Sequence, residues 1–207
     1  MPSSSLDFGR SSFAILVSLL LTSNISHSVG YNSDPKIFIT ELTNDAFKTL
    51  GDKSISDEEK HKIIAKMAVE NVDIKALGSY ALGDVRKSLK PEVLNQYHII
   101  FQKYFLKNLT SRLTSYTSNK FEVMKAEQKS SKYTIVYSKI AESPSSPEIK
   151  IDWRVYTKDP LKPLVRDLIV EGLSLAKTQK EEFSSILYSN NKDIQILFQK
   201  LEKYIAN

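Results

Sequence analysis

Four groups of residues have types and spacings that chemistry uses, and each lacks a necessary member. Gly78, Ser79, Tyr80, Ala81, Leu82 and Gly83 carry the glycine spacing of a phosphate-cradling loop. Asp84 and Val85 then stand where a lysine and a hydroxyl residue must follow, and a carboxylate there repels a phosphate. Gly172 and Ser174 have the spacing of a nucleophile elbow, but Ala176 replaces the second glycine that the sharp turn needs. His27, His61 and His98 are far apart in the chain, which argues against a histidine metal site and leaves Ser174 without a base nearby in sequence. Asp167 and Glu171, on one side of a predicted strand, form a carboxylate pair of a kind that is more often structural or partner-facing than catalytic. The chain has no cysteine, so thiolate catalysis, disulfides and cysteine metal sites are excluded. The expectation is a protein that is not an enzyme and needs neither metal nor cofactor.

What the sequence does hold is apolar and aromatic surface. Its ten tyrosines, nine phenylalanines and one tryptophan concentrate on one long helix and on the strands that follow it. Leu94, Tyr97, Phe101, Phe105, Leu109, Leu113 and Tyr116 recur every three or four residues after Pro91, the period of an amphipathic helix. Upstream, Asp34 and Pro35 open a helix with Phe38, Leu42 and Ala46 on one face, and Gly51 ends it. Ser56 and Glu59 form a capping box for a second helix carrying Ile63, Ile64 and Met67, and a short third element covers 73–82.

Beyond Tyr116 the period becomes alternating, with strands at 121–127, 133–140, 149–156 and 164–170. Short links make them an antiparallel meander, and the proline- and serine-rich connection 142–147 is a predicted flexible loop. Ile149, Ile151, Trp153 and Val155 share one face of the third strand, with Lys150, Asp152, Arg154 and Tyr156 on the other. The same alternation puts Leu168 and Val170 on the apolar face of the fourth. Two helices around Phe183 and Leu197 close the chain. The predicted fold is α+β, a helical layer packed on a twisted antiparallel sheet of about four strands.

At 207 residues, 41% apolar and 26% charged, the sequence has the composition of one globular domain. The net charge of +5 comes from lysines interspersed with acids. No nucleic-acid reading element accompanies it, and the remaining functional reading is weak attraction to an anionic membrane face. Arg10, the apolar stretch from Phe13 to Leu21, and small Ser26 and Ser28 outline a signal peptide over 1–28, leaving 29–207 as the exported domain. The apolar stretch is shorter than a membrane-spanning helix, and no cysteine follows it to carry a lipid anchor. Export is the expectation.

Val165, Arg166, Asp167, Leu168, Ile169, Val170, Glu171, Gly172, Leu173, Ser174 and Leu175 resemble the signature of the MlaC family of periplasmic phospholipid carriers, also called toluene-tolerance proteins. Val72, Asp73 and Ile74, then Leu82 and Gly83, Arg86 and Leu89, and Glu182 and Phe183 resemble further family positions in order. Val85, Gln179 and Lys180 depart from the pattern. The resemblance implies a pocket for acyl tails between helices and sheet, with phospholipid as cargo. It also implies an inner-membrane ABC transporter with an MCE ring and an outer-membrane lipoprotein–porin complex as exchange partners. The implied role is a soluble shuttle that helps maintain outer-membrane lipid asymmetry. Two chains of about sixteen carbons, at ~0.8 kcal/mol per CH₂, carry roughly 25 kcal/mol of hydrophobic cost in water, so a carrier must supply a dry cavity. Phe101, Tyr104, Phe105, Ile151, Trp153, Val155, Leu168, Val170 and Leu173 are the expected lining, and Lys177 and Lys180 the expected docking residues. A periplasmic protein-binding or chaperone-like module, or a carrier of another lipid such as a hopanoid, is the alternative.

Overall fold

The computed structural model describes residues 30–113, 121–142 and 147–207. The predicted signal peptide 1–28, Tyr116, and residues 143–146 of the predicted loop lie outside the described residues. The helices are α1 (Pro35–Gly51), α2 (Asp57–Asn71), α3 (Ile74–Ala81) and α4 (Pro91–Leu113), then α5 (Leu175–Tyr188) and α6 (Ile194–Ala206) after the strands. The strands are β1 (Phe121–Ser130), β2 (Tyr133–Ile140), β3 (Ile149–Tyr156), β4 (Leu164–Val170) and β5 (Leu173–Ser174). A 3-10 turn, Gly83–Lys87, separates α3 from α4.

Side-chain caps fix where the helices begin. Asp34 accepts from the Lys36 and Ile37 N–H groups, Ser56 from Glu59, Asp73 from Ala76, Ser174 from Lys177 and Asp193 from Gln195. Each such cap contributes about 1 kcal/mol. The glycines that resembled a phosphate loop have packing roles. A methyl group at Gly78 would stand 2.7 Å from the Phe101 ring, so its absence lets α3 and α4 approach, and Gly83 takes a left-handed φ of 62°. Tyr97 Oη donates to the Gly78 carbonyl at 2.9 Å and closes that contact.

The sheet is antiparallel in the order β1-β2-β3-β4-β5, one strand more than expected. The added strand follows a two-residue turn, Glu171 and Gly172, both at positive φ, which returns the chain sharply beside β4. In β4 the register places Asp167 opposite Arg154 and Val165 opposite Val155, leaving Arg166 as an extra, bulged residue. Strict alternation would put Val165 and Leu168 on opposite faces. The bulge brings both to the apolar face and releases Arg166 to another task.

Two hydrophobic clusters result. Tyr97, Ile100, Phe101, Phe183, Leu187, Leu197 and Phe198 centre the first, built from α3 to α6. Phe38, Ile39 and Leu42 of α1 cover Val136, Val155 and Val165 of the sheet in the second. Val72 packs against both. It forms a parallel bridge with Val165, and the Asp73 N–H donates to the Val165 carbonyl at 2.9 Å. Arg166 Nε and Nη2 donate to Asp73 Oδ2 at 2.9 and 2.7 Å, while its guanidinium lies 3.4 Å from the Tyr156 ring centroid. The bulge thereby ties the α2–α3 joint to the sheet.

Candidate functional site

The apolar face of the sheet is covered unevenly. Under α1, Val136 and Val155 are completely buried and Val165 nearly so. Farther along the same strands Ile151 lies opposite Val170 and Trp153 opposite Leu168, and all four are only half-buried. Phe121 and Val123 of β1, also half-buried, continue this surface through the register Phe121–Ile140 and Val123–Ser138. Phe47 of α1 lies 5.6 Å from Phe121, ring to ring, and Phe121 meets Trp153 edge-on at 6.3 Å.

This surface is apolar in chemistry as well as composition. The Trp153 indole N–H donates to Ser138 Oγ at 3.0 Å, and Ser138 donates to the Ile151 carbonyl at 2.6 Å. The polar atoms near the tryptophan are therefore satisfied within the sheet, and the ring offers a ligand only contact area.

The nine expected lining residues divide among several places. Trp153 and Leu168 flank the second cluster, and Ile151 and Val170 lie at the less covered end of the face. Val155, expected at a cargo surface, is instead a fully buried member of the packed cluster with Phe38 and Ile39. Phe101 is buried among the rings of Tyr97, Tyr104, Phe105 and Phe183, so it is a core residue of the helical cluster. Tyr104 and Phe105 are half-buried at that cluster's margin, and Tyr104 Oη donates to Gln179 Oε1 at 3.0 Å. Leu173 pairs with Val170 across the Glu171–Gly172 turn, on the same face as the apolar row, and is 69% exposed there. Phe121 and Val123 were missed, although their one-residue spacing on a predicted strand was the signal that could have found them.

The strongest motif proves to be a joint. Asp167, 3% exposed, accepts from Ser174 Oγ at 2.6 Å and from the Ala176 N–H at 3.0 Å, and it pairs with Arg154 at 3.2 Å. Ser174 in turn caps α5. Glu171 accepts from the Lys150 N–H and returns its own N–H to the Lys150 carbonyl. The two carboxylates thus hold a hairpin and a helix start, and do not converge on a shared site.

One serine–histidine contact exists, Ser79 Oγ to His98 Nε2 at 2.9 Å. Ser79 Oγ also donates to the Lys75 carbonyl at 2.9 Å, which occupies its only proton, so the ring must donate to the hydroxyl. Burial and nearby Lys75 hold the His98 pKa below its ordinary value. This arrangement does not activate a nucleophile. Among the described residues no group of acids and histidines could hold a metal ion, and no helix is long and apolar enough to cross a membrane.

Lys177 and Lys180 come together on α5. Lys177 pairs with Glu181 at 3.8 Å, and Lys180 Nζ lies 5.2 Å from the Tyr80 ring centroid. Both line a surface groove with Tyr80 and Tyr188.

These features define an α+β protein whose sheet carries a continuous, incompletely covered apolar face. The chain belongs to the MlaC family, whose model matches residues 40–203. Among solved structures it is similar to a phospholipid-binding protein from Ralstonia solanacearum, determined in complex with a phospholipid. The TM-score is 0.69 over 81% of this chain and 94% of that one, at 19% identity, a likeness of fold. Comparison with curated protein sequences gives no match.

Proposed function

We propose that this protein binds a phospholipid by its acyl chains and carries it across the periplasm as the soluble component of an ABC-type lipid transport system. The observation that carries the reading is the half-buried apolar row of Ile151, Trp153, Leu168 and Val170 beside a fully covered one. Burying apolar atoms contributes about 25 cal/mol per Å², so such a row favours an apolar occupant. Family membership and the fold shared with a phospholipid-binding protein support the same cargo. Family membership is the support for the proposed partners, an inner-membrane transporter with an MCE ring and an outer-membrane lipoprotein–porin complex, and for the proposed role in lipid asymmetry. The Arg10, apolar-stretch and Ser26/Ser28 pattern supports export.

Organic extraction of the purified protein, followed by mass spectrometry, tests the cargo. Phospholipid at a reproducible stoichiometry is expected. Protein free of lipid from a lipid-replete host would favour a protein-binding module, and a hopanoid in the extract would change the cargo class. Intact mass of the periplasmic species tests export, with cleavage expected near Ser28.

A further inference from the structure

The groove on α5 is a site for a different occupant. It holds about 450 Å³ and is lined by Tyr80 of α3 and by Lys180, Glu181, Ser184, Ser185 and Tyr188 of α5, with Lys177 at one end. Both of its aromatic rings hold a cation. Lys180 Nζ lies 5.2 Å from the Tyr80 ring centroid, and Lys192 Nζ lies 5.1 Å from that of Tyr188. Among the described residues neither lysine has a carboxylate at ion-pair distance. Asp84, which Lys180 also influences, is held by Lys87 at 2.8 Å. Glu181 is the acid in the lining, and its contact with Lys177 is long and exposed, so it contributes little. Lys177 and Lys180 in the lining and Lys192 beside Tyr188, against Glu181, leave the groove and its margin with surplus positive charge.

The shape decides what kind of anion fits. From Lys177 to Tyr188, α5 runs about 16 Å at 1.5 Å per residue. An extended polypeptide covers that length with about five residues. The cations sit toward both ends of this line, too far apart for one phosphate to bridge. A bilayer presents its charge as a plane, whereas these cations follow one line along α5. Stacking on Tyr80 and Tyr188 restrains both lysines before binding, which lowers the side-chain entropy lost on docking.

We infer that the α3–α5 groove docks an extended, acidic segment of a partner protein, with Lys180 and Lys192 as its anchors and Glu181 as its brake. The carrier reading contributes only the requirement that a partner must dock. The test is a ¹⁵N NMR titration of the full exported chain with a hexaglutamate peptide, with hexalysine and anionic phosphatidylglycerol vesicles as comparisons. Hexaglutamate should shift the amides of Tyr80, Lys180, Ser184, Ser185 and Tyr188, and hexalysine should not. Lys180→Glu combined with Lys192→Glu should weaken binding at least about tenfold, and Glu181→Gln should tighten it by about two- to threefold, in line with exposed charge contributions. Shifts scattered over all surface lysines, or an unchanged affinity in Glu181→Gln, would overturn the inference. A response to vesicles alone would replace the polypeptide by a membrane surface. Lipid is extracted from the same samples, so a lipid-free protein counts against the carrier reading independently of the peptide result.

Discussion

The two ends of the apolar sheet face are covered unequally. At the end under α1, Val155 touches a closed cluster and is fully buried; at the other, Val170 and its register partner Ile151 lie outside both hydrophobic clusters. The side chains are of the same class and the strands are the same, so the difference comes from what lies above them. The lesson is that an apolar face becomes a binding surface only where the covering layer stops short.

The largest expected effect breaks this comparison most directly. Val155→Glu buries an unpaired carboxylate in a packed cluster and should cost more than about 4 kcal/mol, abolishing the cooperative fold. Val170→Glu places the same group where water can reach it once cargo has left, so the protein should fold with less bound phospholipid. Thermal melting and lipid extraction on both variants provide the check. Equal loss of folding would make the face one continuous core, and equal retention of lipid would place the cargo elsewhere.

Asp167→Ala comes next, because one side chain serves strand and helix together. It removes the hydrogen bonds to Ser174 and Ala176 and the Arg154 pair, and should cost about 2–3 kcal/mol, the partly exposed Arg154 limiting the loss. Denaturant unfolding measures it. If the loss is under 1 kcal/mol, the signature is not the structural joint described above. In the helical cluster, Gly78→Ala should cost about 1–2 kcal/mol, since the new methyl meets the Phe101 ring while alanine favours the helix. A neutral result would mean that α3 and α4 separate easily.

Much of this was legible in the sequence. The three-to-four spacing of Leu94, Tyr97, Phe101 and Phe105 located α4, and alternation located β1 to β4 within a few residues. Capping chemistry at Asp34 and Ser56 marked two helix starts that the structure retains. Periodicity assigns a residue to a face, however, and says nothing of what covers that face. Val155 and Ile151 are equivalent by alternation, and only the position of α1 separates them. The bulge at Arg166 and the turn at Glu171 are likewise set by partners distant in sequence, Asp73 and Lys150. For that reason Leu173 is exposed on the added strand beside Val170 rather than enclosed, and the Asp167–Glu171 pair came apart.

The smallest effect is expected on the opposite face of the sheet, where charge is solvated. Glu127 accepts from Lys125 at 2.5 Å, with Lys129 and Tyr137 as further donors. These hydrogen bonds, that from Lys125 first, hold its pKa at about 2, below the ordinary 4.5. A carboxylate with a depressed folded-state pKa contributes stability that is present above the unfolded value and lost as pH falls through the folded one. The difference in melting temperature between wild type and Glu127→Gln should therefore be largest above pH 4.5 and shrink as pH falls toward about 2. Because the carboxylate is open to solvent, solvent and salt screen the contribution, and added salt should shrink the difference further. Phospholipid content should not change, since Glu127 lies on the charged face away from the apolar row. A side-chain carboxyl NMR titration with its midpoint near 4.5 would remove the lysine clamp, and altered lipid content in Glu127→Gln would show that the two faces are coupled.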